Sequence, residues 1–167
     1  MKVIFLDIDG VISTFEESMS STKDFWIERQ WARDMRVLYP FNQECVMILN
    51  EILTETGAEI ILSSDWKKKR SLKDLDIIFK NNGVIKSPID VTPDLRQDYS
   101  VLEVCRTFEI VHYIAENNIN INDIVIIDDL NLERLLPPKV RDRFIKTNFE
   151  DGIREFEIKD LIIEKLK

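Results

Sequence analysis

The sequence is low in glycine, proline, cysteine and histidine, and it contains no repeats and no low-complexity segment. Cys45 and Cys105 are isolated from each other and both fall within predicted helices, so we expect two buried thiols rather than a disulfide framework. No run of about 18 apolar residues is present, which argues against a membrane-spanning helix. The first residues also lack the layout of a secretory signal, so the sequence predicts a cytoplasmic protein.

Basic residues are outnumbered, with 23 Lys and Arg against 31 Asp and Glu, and the formal net charge is −8. This balance argues against broad nucleic-acid binding through phosphate contacts. Despite this excess of acidic residues, the chain has one local run of basic residues, Lys67 to Arg70. We interpret it either as a solvated face or as a contact for a polyanionic substrate. The length of 167 residues predicts one domain over 1–167 with a real core.

Apolar runs typical of buried strands alternate with helical patterns, which predicts an α/β fold with a central parallel sheet covered by helices on both faces. The predicted strands are 2–8, 58–62, 123–127 and a short edge strand at 143–146. The predicted helices are 24–36, 42–56, 71–82, 100–117 and 154–166, with Asn42 and the Ser71–Asp74 pair as N-terminal caps and a long loop at 84–99. The candidates for the buried side of helix 100–117 are Val101, Val104, Phe108, Val111, His112 and Ala115.

The first strand ends in the sequence Asp7-Ile-Asp9-Gly10. The two carboxylates lie two residues apart and would share one face of a strand, where they repel each other unless a cation or a proton relieves them. A calcium-binding loop is the competing interpretation of this motif. That template requires a Glu at its twelfth position, where this chain has Ser18. The motif therefore favours a metal-assisted site at a strand end.

Polar clusters follow three of the predicted strands: Asp7 and Asp9 after the first, Ser63-Ser64-Asp65 after the second, and Asp128-Asp129 after the 123–127 strand. The carboxyl ends of parallel strands meet at one edge of the sheet, where open α/β folds bind ligands. We therefore expect these acids and hydroxyls to line one pocket.

These motifs, together with Arg106 ahead of Asp128, resemble those of the haloacid dehalogenase superfamily, and the likeness covers about residues 2–152. Within it, the chain is similar to the domain found in Swiss Army Knife RNA-repair proteins, which is itself similar to the phosphatase half of polynucleotide kinase-phosphatase. The segments that carry this closer likeness are Ile60–Trp66, Thr92–Leu95, Arg106–Ile110 and Ile126–Asp129. The resemblance implies a Rossmann-like three-layer sandwich with a minimal cap, with residues 13–41 as a small cap or flap insert.

The chemistry of these residues and the resemblance together imply a magnesium-dependent phosphatase that works through an aspartyl-phosphate intermediate. Asp7 would be the nucleophile, Asp9 the general acid and base, Ser63 a hydrogen-bond donor to the phosphoryl group, and Arg106 the group that neutralises its charge. Candidate ligands of Mg²⁺ are Asp7, Asp9 through its backbone carbonyl, Asp128 and Asp129. The substrate would be phosphorylated, with a nucleotide or a nucleic-acid end as the leading candidate.

Several roles stay open at this stage. Ser64 competes with Ser63, and Asp129 could cap the turn at 131–136. Arg106 could be a surface residue paired with Glu103 or Glu109. His112 is expected on a helix face without a catalytic role, whereas Trp26 and Trp31 could stack on a base or pack in the core or a lid. A phosphoacceptor signalling module or an inactive phosphate-binding domain are the alternatives to an enzyme.

Overall fold

Five parallel strands form the centre of the computed structural model, which describes residues 1–14, 41–155 and 157–167. In chain order the strands are β1 (Val3–Leu6), β2 (Glu59–Leu62), β3 (Asp90–Val91), β4 (Ile124–Asp128) and β5 (Phe144–Lys146). Their order in the sheet is β3-β2-β1-β4-β5, and every neighbouring pair is parallel. The helices are α1 (Gln43–Thr56), α2 (Leu72–Asn81), α3 (Leu102–Glu116), α4 (Pro138–Arg141) and α5 (Ile158–Leu166), with 3₁₀ turns at Asp65–Lys69 and Ile121–Asp123.

The apolar strands bury both of their faces, because successive side chains of a strand point to opposite sides of the sheet. Ile4 and Leu6 belong to a core with α1, α2 and α5, whereas Val3 and Phe5 belong to a second core with α3 and α4. The fold is therefore an α/β sandwich of three layers, and the Rossmann-like prediction is confirmed.

Local signals in the sequence place several helix ends. The side chain of Asn42 accepts hydrogen bonds from the first turn of α1, and Gly57 ends that helix with φ of 69°. Ser71 and Asp74 form the predicted capping box of α2. The predicted edge strand at 143–146 is present as β5. The short strand β3 lies in the predicted loop 84–99, since two residues are too few to show an alternating pattern.

The predicted buried side of α3 is wrong. Phe108 is 46% exposed and His112 is exposed as well. The buried face of the helix instead contains two charged residues, Arg106 and Glu109, beside the apolar Ile110. The apolar pattern did not predict this buried face, because two of its residues are charged. These charges can be buried since they are paired with residues from other segments.

The predicted helix 24–36, with Trp26 and Trp31, and nearly all of the proposed insert 13–41 lie outside the described residues. Among the described helices, none has both the length and the apolar character needed to cross a membrane. Cys45 and Cys105 are free and buried, as expected.

Candidate active site

The register of the three central strands brings Asp7, Ser63 and Asp128 to one level at the carboxyl edge of the sheet. The backbone N–H of Asp7 donates to the carbonyl of Ile127 (3.0 Å), and that of Ser63 donates to the carbonyl of Leu6 (2.9 Å), so the ladders continue one step past β1 and β2. All three side chains are buried. Because strand faces alternate, they lie on the side of the sheet that α3 covers.

Three carboxylates converge at this edge, since Asp7, Asp128 and Asp129 each offer an oxygen within 4.8 Å of the other two. Burial raises the pKa of Asp128 to about 8 and that of Asp129 to about 6. Burial also raises the pKa of Asp7, although Arg106 and a hydrogen bond with Ser64 oppose the shift. Burial thus disfavours the ionised form of all three carboxylates.

Arg106 reaches this cluster from α3. Its Nη1 donates to Oδ2 of Asp128 at 2.6 Å and lies 3.4 Å from Oδ1 of Asp7, while its Nη2 lies 3.9 Å from Oδ1 of Asp65. The side chain is 3% exposed, so the interpretation of Arg106 as a surface residue is wrong. A guanidinium keeps its charge and offers several donors in one plane, so Arg106 can bridge the two carboxylates.

A buried ion pair lies behind Arg106. The Nζ of Lys67 donates to Oε2 of Glu109 at 2.6 Å and to Oγ1 of Thr92 at 2.8 Å. The other oxygen of Glu109 accepts from the backbone N–H of Leu95 at 3.0 Å, and its Oε2 lies 3.9 Å from Nε of Arg106. Glu109 therefore joins α3 to the 3₁₀ turn after β2 and to the loop after β3, at the back of the site.

Most of the basic run is engaged within the protein. Lys67 is 3% exposed, so a solvated position for it is wrong. Lys68 pairs with Asp65 at 3.0 Å, and the guanidinium carbon of Arg70 lies 4.3 Å from the centre of the Trp66 ring. These contacts weaken the interpretation of the run as a surface for a polyanion.

The two serines after β2 occupy different environments. The Oγ of Ser64 accepts from the backbone N–H of Trp66 at 3.4 Å, which caps the 3₁₀ turn, and Ser64 also hydrogen-bonds Asp7. The Oγ of Ser63 is buried and has no hydrogen-bond partner. A buried hydroxyl without a partner is costly, so Ser63 has a donor available for a ligand oxygen.

The carboxylate of Asp9 is not one of the three that converge within 4.8 Å of one another. Its Oδ2 accepts a hydrogen bond of 2.9 Å from the indole Nε1 of Trp66. The Trp66 ring is itself buried and packs near Phe41, with 6.1 Å between ring centroids. Trp66 therefore fixes the direction of the Asp9 side chain.

Gly10 is required at its position for two reasons. Its φ of 75° lies in the left-handed region, and a Cβ there would lie 2.7 Å from both Cγ of Asp129 and Cδ2 of Phe149. Its carbonyl accepts from Oγ1 of Thr147 at 2.8 Å. Because Gly10 has no side chain, the segment that follows β5 can pack against the turn that carries Asp9.

The donor set and its charge fit a divalent cation. Oxygen ligands from carboxylates are what Mg²⁺ prefers. Asp7, Asp128, Asp129 and Glu109 face only two cationic side chains, Lys67 and Arg106, which leaves two negative charges when these six groups are ionised. The carboxylate of Asp9 adds a further acidic group to the site. The backbone N–H of Leu130 donates to Oδ1 of Asp128, so it is Asp128 that holds the start of the following turn.

Sequence reasoning missed the roles of Trp66 and of the pair between Lys67 and Glu109. The signal for the pair was weak: a Lys just after a strand end and a Glu three residues after Arg106. His112 lies outside the site, with its Nε2 3.1 Å from Oε1 of Glu116, in line with the expected place on a helix face.

Comparison with known families matches residues 3–158 to the model described as the HAD domain in Swiss Army Knife RNA repair proteins, where HAD stands for haloacid dehalogenase. Neither the curated proteins nor the solved structures contain a significant match. The HAD superfamily is one of phosphatase-type hydrolases that generally use Mg²⁺ and act on phosphorylated substrates. With nearly the whole chain matched and the α/β sandwich in place, the protein belongs to the family of HAD domains of Swiss Army Knife RNA-repair proteins.

Proposed function

We propose that this protein is a magnesium-dependent phosphomonoesterase that forms an aspartyl-phosphate on Asp7. The observation that carries the proposal is the meeting of a buried carboxylate, Asp7, with Arg106 at 3.4 Å and with the unpartnered hydroxyl of Ser63 on one level of the sheet. A nucleophile, a cation and a hydrogen-bond donor are the groups that phosphoryl transfer to a carboxylate requires.

In the first step an oxygen of Asp7 attacks phosphorus, and the bond from phosphorus to the leaving oxygen breaks. Asp9 gives its proton to that oxygen, and Trp66 holds the Asp9 carboxyl in place. Arg106 and the Ser63 hydroxyl take up charge on the phosphoryl oxygens.

In the second step a water molecule attacks the phosphorus of the aspartyl-phosphate and loses a proton to Asp9. The bond from phosphorus to Asp7 breaks, and inorganic phosphate leaves. Mg²⁺ held by Asp7, Asp128, Asp129 and the Asp9 backbone carbonyl would offset the repulsion between an anionic nucleophile and an anionic substrate.

The proposed substrate is the terminal phosphate of a nucleotide or a nucleic acid, which the family description supports. We further propose that 1–167 acts as one domain. The two free buried thiols suit the reducing cytoplasm.

A screen for released phosphate tests the proposal. The substrates are nucleotides, oligonucleotides with 3′- or 5′-phosphates, sugar phosphates and phosphopeptides, each with Mg²⁺ and with a chelator. Asp7→Asn should abolish release, and Asp9→Asn should lower it by about a hundredfold or more. Full activity of Asp7→Asn would discard the covalent route.

The same screen separates the alternatives. A phosphoacceptor module would accumulate phosphate on Asp7 with little turnover, which intact-mass measurement detects as one added phosphoryl group. An inactive binding domain would neither release phosphate nor become labelled.

A further inference from the structure

A second arginine, Arg96, lies in the loop after β3 and is half-buried. Its Nη1 is shielded from solvent and has no hydrogen-bond partner. No residue within the described ranges forms a hydrogen bond or an ion pair with this guanidinium, and the nearby Asp94 accepts only from the Arg96 backbone N–H, at 3.1 Å. A cationic donor that is buried without a partner is costly, so the Arg96 side chain is available to an anionic ligand.

The carboxylate behind Arg106 also fixes the backbone next to Arg96. The N–H of Leu95 donates to Oε1 of Glu109 at 3.0 Å, and the other oxygen of Glu109 lies 3.9 Å from Nε of Arg106. The turn that begins at Leu95 is closed by a hydrogen bond of 3.0 Å from the N–H of Asp98 to the Leu95 carbonyl. One carboxylate therefore holds both the arginine that faces the phosphoryl group and the loop that carries Arg96.

Both arginines act on the same carboxylate, Asp65, whose side chain is 47% exposed. Burial opposes the shift, but Lys68 and the two arginines lower the pKa of Asp65. Lys68 lies 3.0 Å and Arg106 3.9 Å from Asp65, whereas Arg96 acts on it from outside ion-pair distance. Arg106 is thus engaged by the buried carboxylates of the site, and Arg96 is a further cation near the solvent-exposed Asp65.

We infer that Arg96 binds a second phosphate of the substrate, namely the phosphodiester that joins the terminal nucleotide to the rest of a nucleic-acid chain. This inference rests on the proposed function and extends it from the reacting phosphate to its neighbour. A guanidinium has planar donors that suit phosphate oxygens, and such charge-assisted hydrogen bonds are stronger than neutral ones. A single nucleotide with one phosphate lacks this group, so Arg96 would favour a nucleic-acid end over a mononucleotide.

Two matched oligonucleotides with a terminal phosphate test this contact. In one, the linkage next to the terminal nucleotide is an ordinary phosphodiester, and in the other it is an uncharged methylphosphonate. Both are made with the terminal phosphate at the 3′ end and at the 5′ end, and the corresponding nucleoside monophosphates are the third ligand. Binding is measured by equilibrium titration with Mg²⁺ present, using Asp7→Asn as the parent protein so that turnover does not interfere.

The compared variants change Arg96 in the parent protein. Arg96→Met deletes the charge and keeps an apolar stem, whereas Arg96→Lys keeps the charge. Arg141→Met is the matched control, because Arg141 is exposed and precedes β5, at the opposite edge of the sheet. Melting temperatures confirm that each variant is folded, and Arg96→Met should not lower the Tm because the guanidinium has no partner to lose.

The parent should bind the phosphodiester oligonucleotide about tenfold more tightly than the methylphosphonate one, at one terminus or at both. Arg96→Met should abolish this difference, whereas Arg96→Lys and Arg141→Met should keep it. The nucleoside monophosphates should bind the parent and Arg96→Met equally. The inference is overturned if the parent does not distinguish the linkages, if its preference survives Arg96→Met, or if Arg96→Met weakens monophosphate binding to the same extent.

Phosphate release by the wild-type protein is measured separately, so that the two proposals can fail independently. Binding that depends on the phosphodiester and on Arg96, without any release of phosphate, would overturn the proposed enzyme and retain the role of Arg96. Release from oligonucleotides that is the same for both linkages and is unchanged by Arg96→Met would retain the enzyme and overturn the role of Arg96.

Discussion

Lys67 and Glu109 form an ion pair of 2.6 Å with side chains only 3% and 2% exposed. Two ions in a protein interior lose their hydration, so such a pair persists only where the geometry is good and the remaining hydrogen bonds are made. Glu109 meets this condition through the Leu95 N–H and the Cys105 thiol, at 3.0 and 3.3 Å. The pair thus connects three segments directly behind Arg106.

Breaking this pair should destabilise the fold. Glu109→Gln leaves the ammonium of Lys67 buried without its counter-ion, and we expect the free energy of unfolding to fall by about 3–5 kcal/mol in urea titrations. The matched control is Asp76→Asn, which breaks the exposed pair with Lys80 and should leave the free energy of unfolding nearly unchanged. A loss below about 1 kcal/mol for Glu109→Gln would show that the buried pair does not hold these segments together.

The two serines after β2 should separate activity from stability. Ser63→Ala removes a hydroxyl that has no partner, so the free energy of unfolding should be unchanged or slightly higher, while kcat falls roughly a hundredfold. Ser64→Ala removes the cap of the 3₁₀ turn and a hydrogen bond to Asp7, so the free energy of unfolding should fall by about 1 kcal/mol. Denaturant titration and phosphate release on both variants measure these effects. Activity retained in Ser63→Ala would assign the phosphoryl contact to another donor.

Trp66→Phe should impair the proton transfer step more than the attack of Asp7. The substitution keeps an aromatic ring but deletes the N–H that holds Asp9. We expect kcat to fall about tenfold on alkyl phosphates, whose leaving oxygen needs a proton, and much less on activated aryl phosphates. Arg70→Met is the control, because it removes the cation above the ring and leaves the N–H intact. An equal loss on both classes of substrate would indicate a packing role alone.

Magnesium should stabilise the folded protein. A ligand that binds only the folded state at about 100 times its Kd contributes ~2.7 kcal/mol, which corresponds to a rise in Tm of roughly 5–10 °C for a chain of this size. Asp129→Asn should reduce the rise, because it removes one of the three converging carboxylates. Asp123→Asn, at the opposite end of β4, should leave the rise unchanged. A Tm that responds neither to millimolar Mg²⁺ nor to a chelator would contradict a metal site here.

Much of the architecture follows from local sequence. Apolar runs gave the strands, Asn42 and the Ser71–Asp74 pair marked helix starts, and alternation of strands with helices indicated a parallel sheet. The meeting of Asp7, Ser63 and Asp128 was predictable for the same reason, since parallel strands end at one edge. The buried face of α3 could not be predicted in this way, because it carries the charged residues Arg106 and Glu109.

The sequence by itself determined which side chains lie at the strand ends. The alternation of side chains along a strand is a local property, and the helical connections between strands fix the direction of each strand in the sheet. Only the tertiary structure decided what surrounds them. Trp66 and Asp9 are 57 residues apart, and Lys67 and Glu109 are 42 apart. The partner of a buried charge or of an indole N–H is set by the packing of segments that are distant in the chain. No local sequence pattern therefore predicts which residues pair.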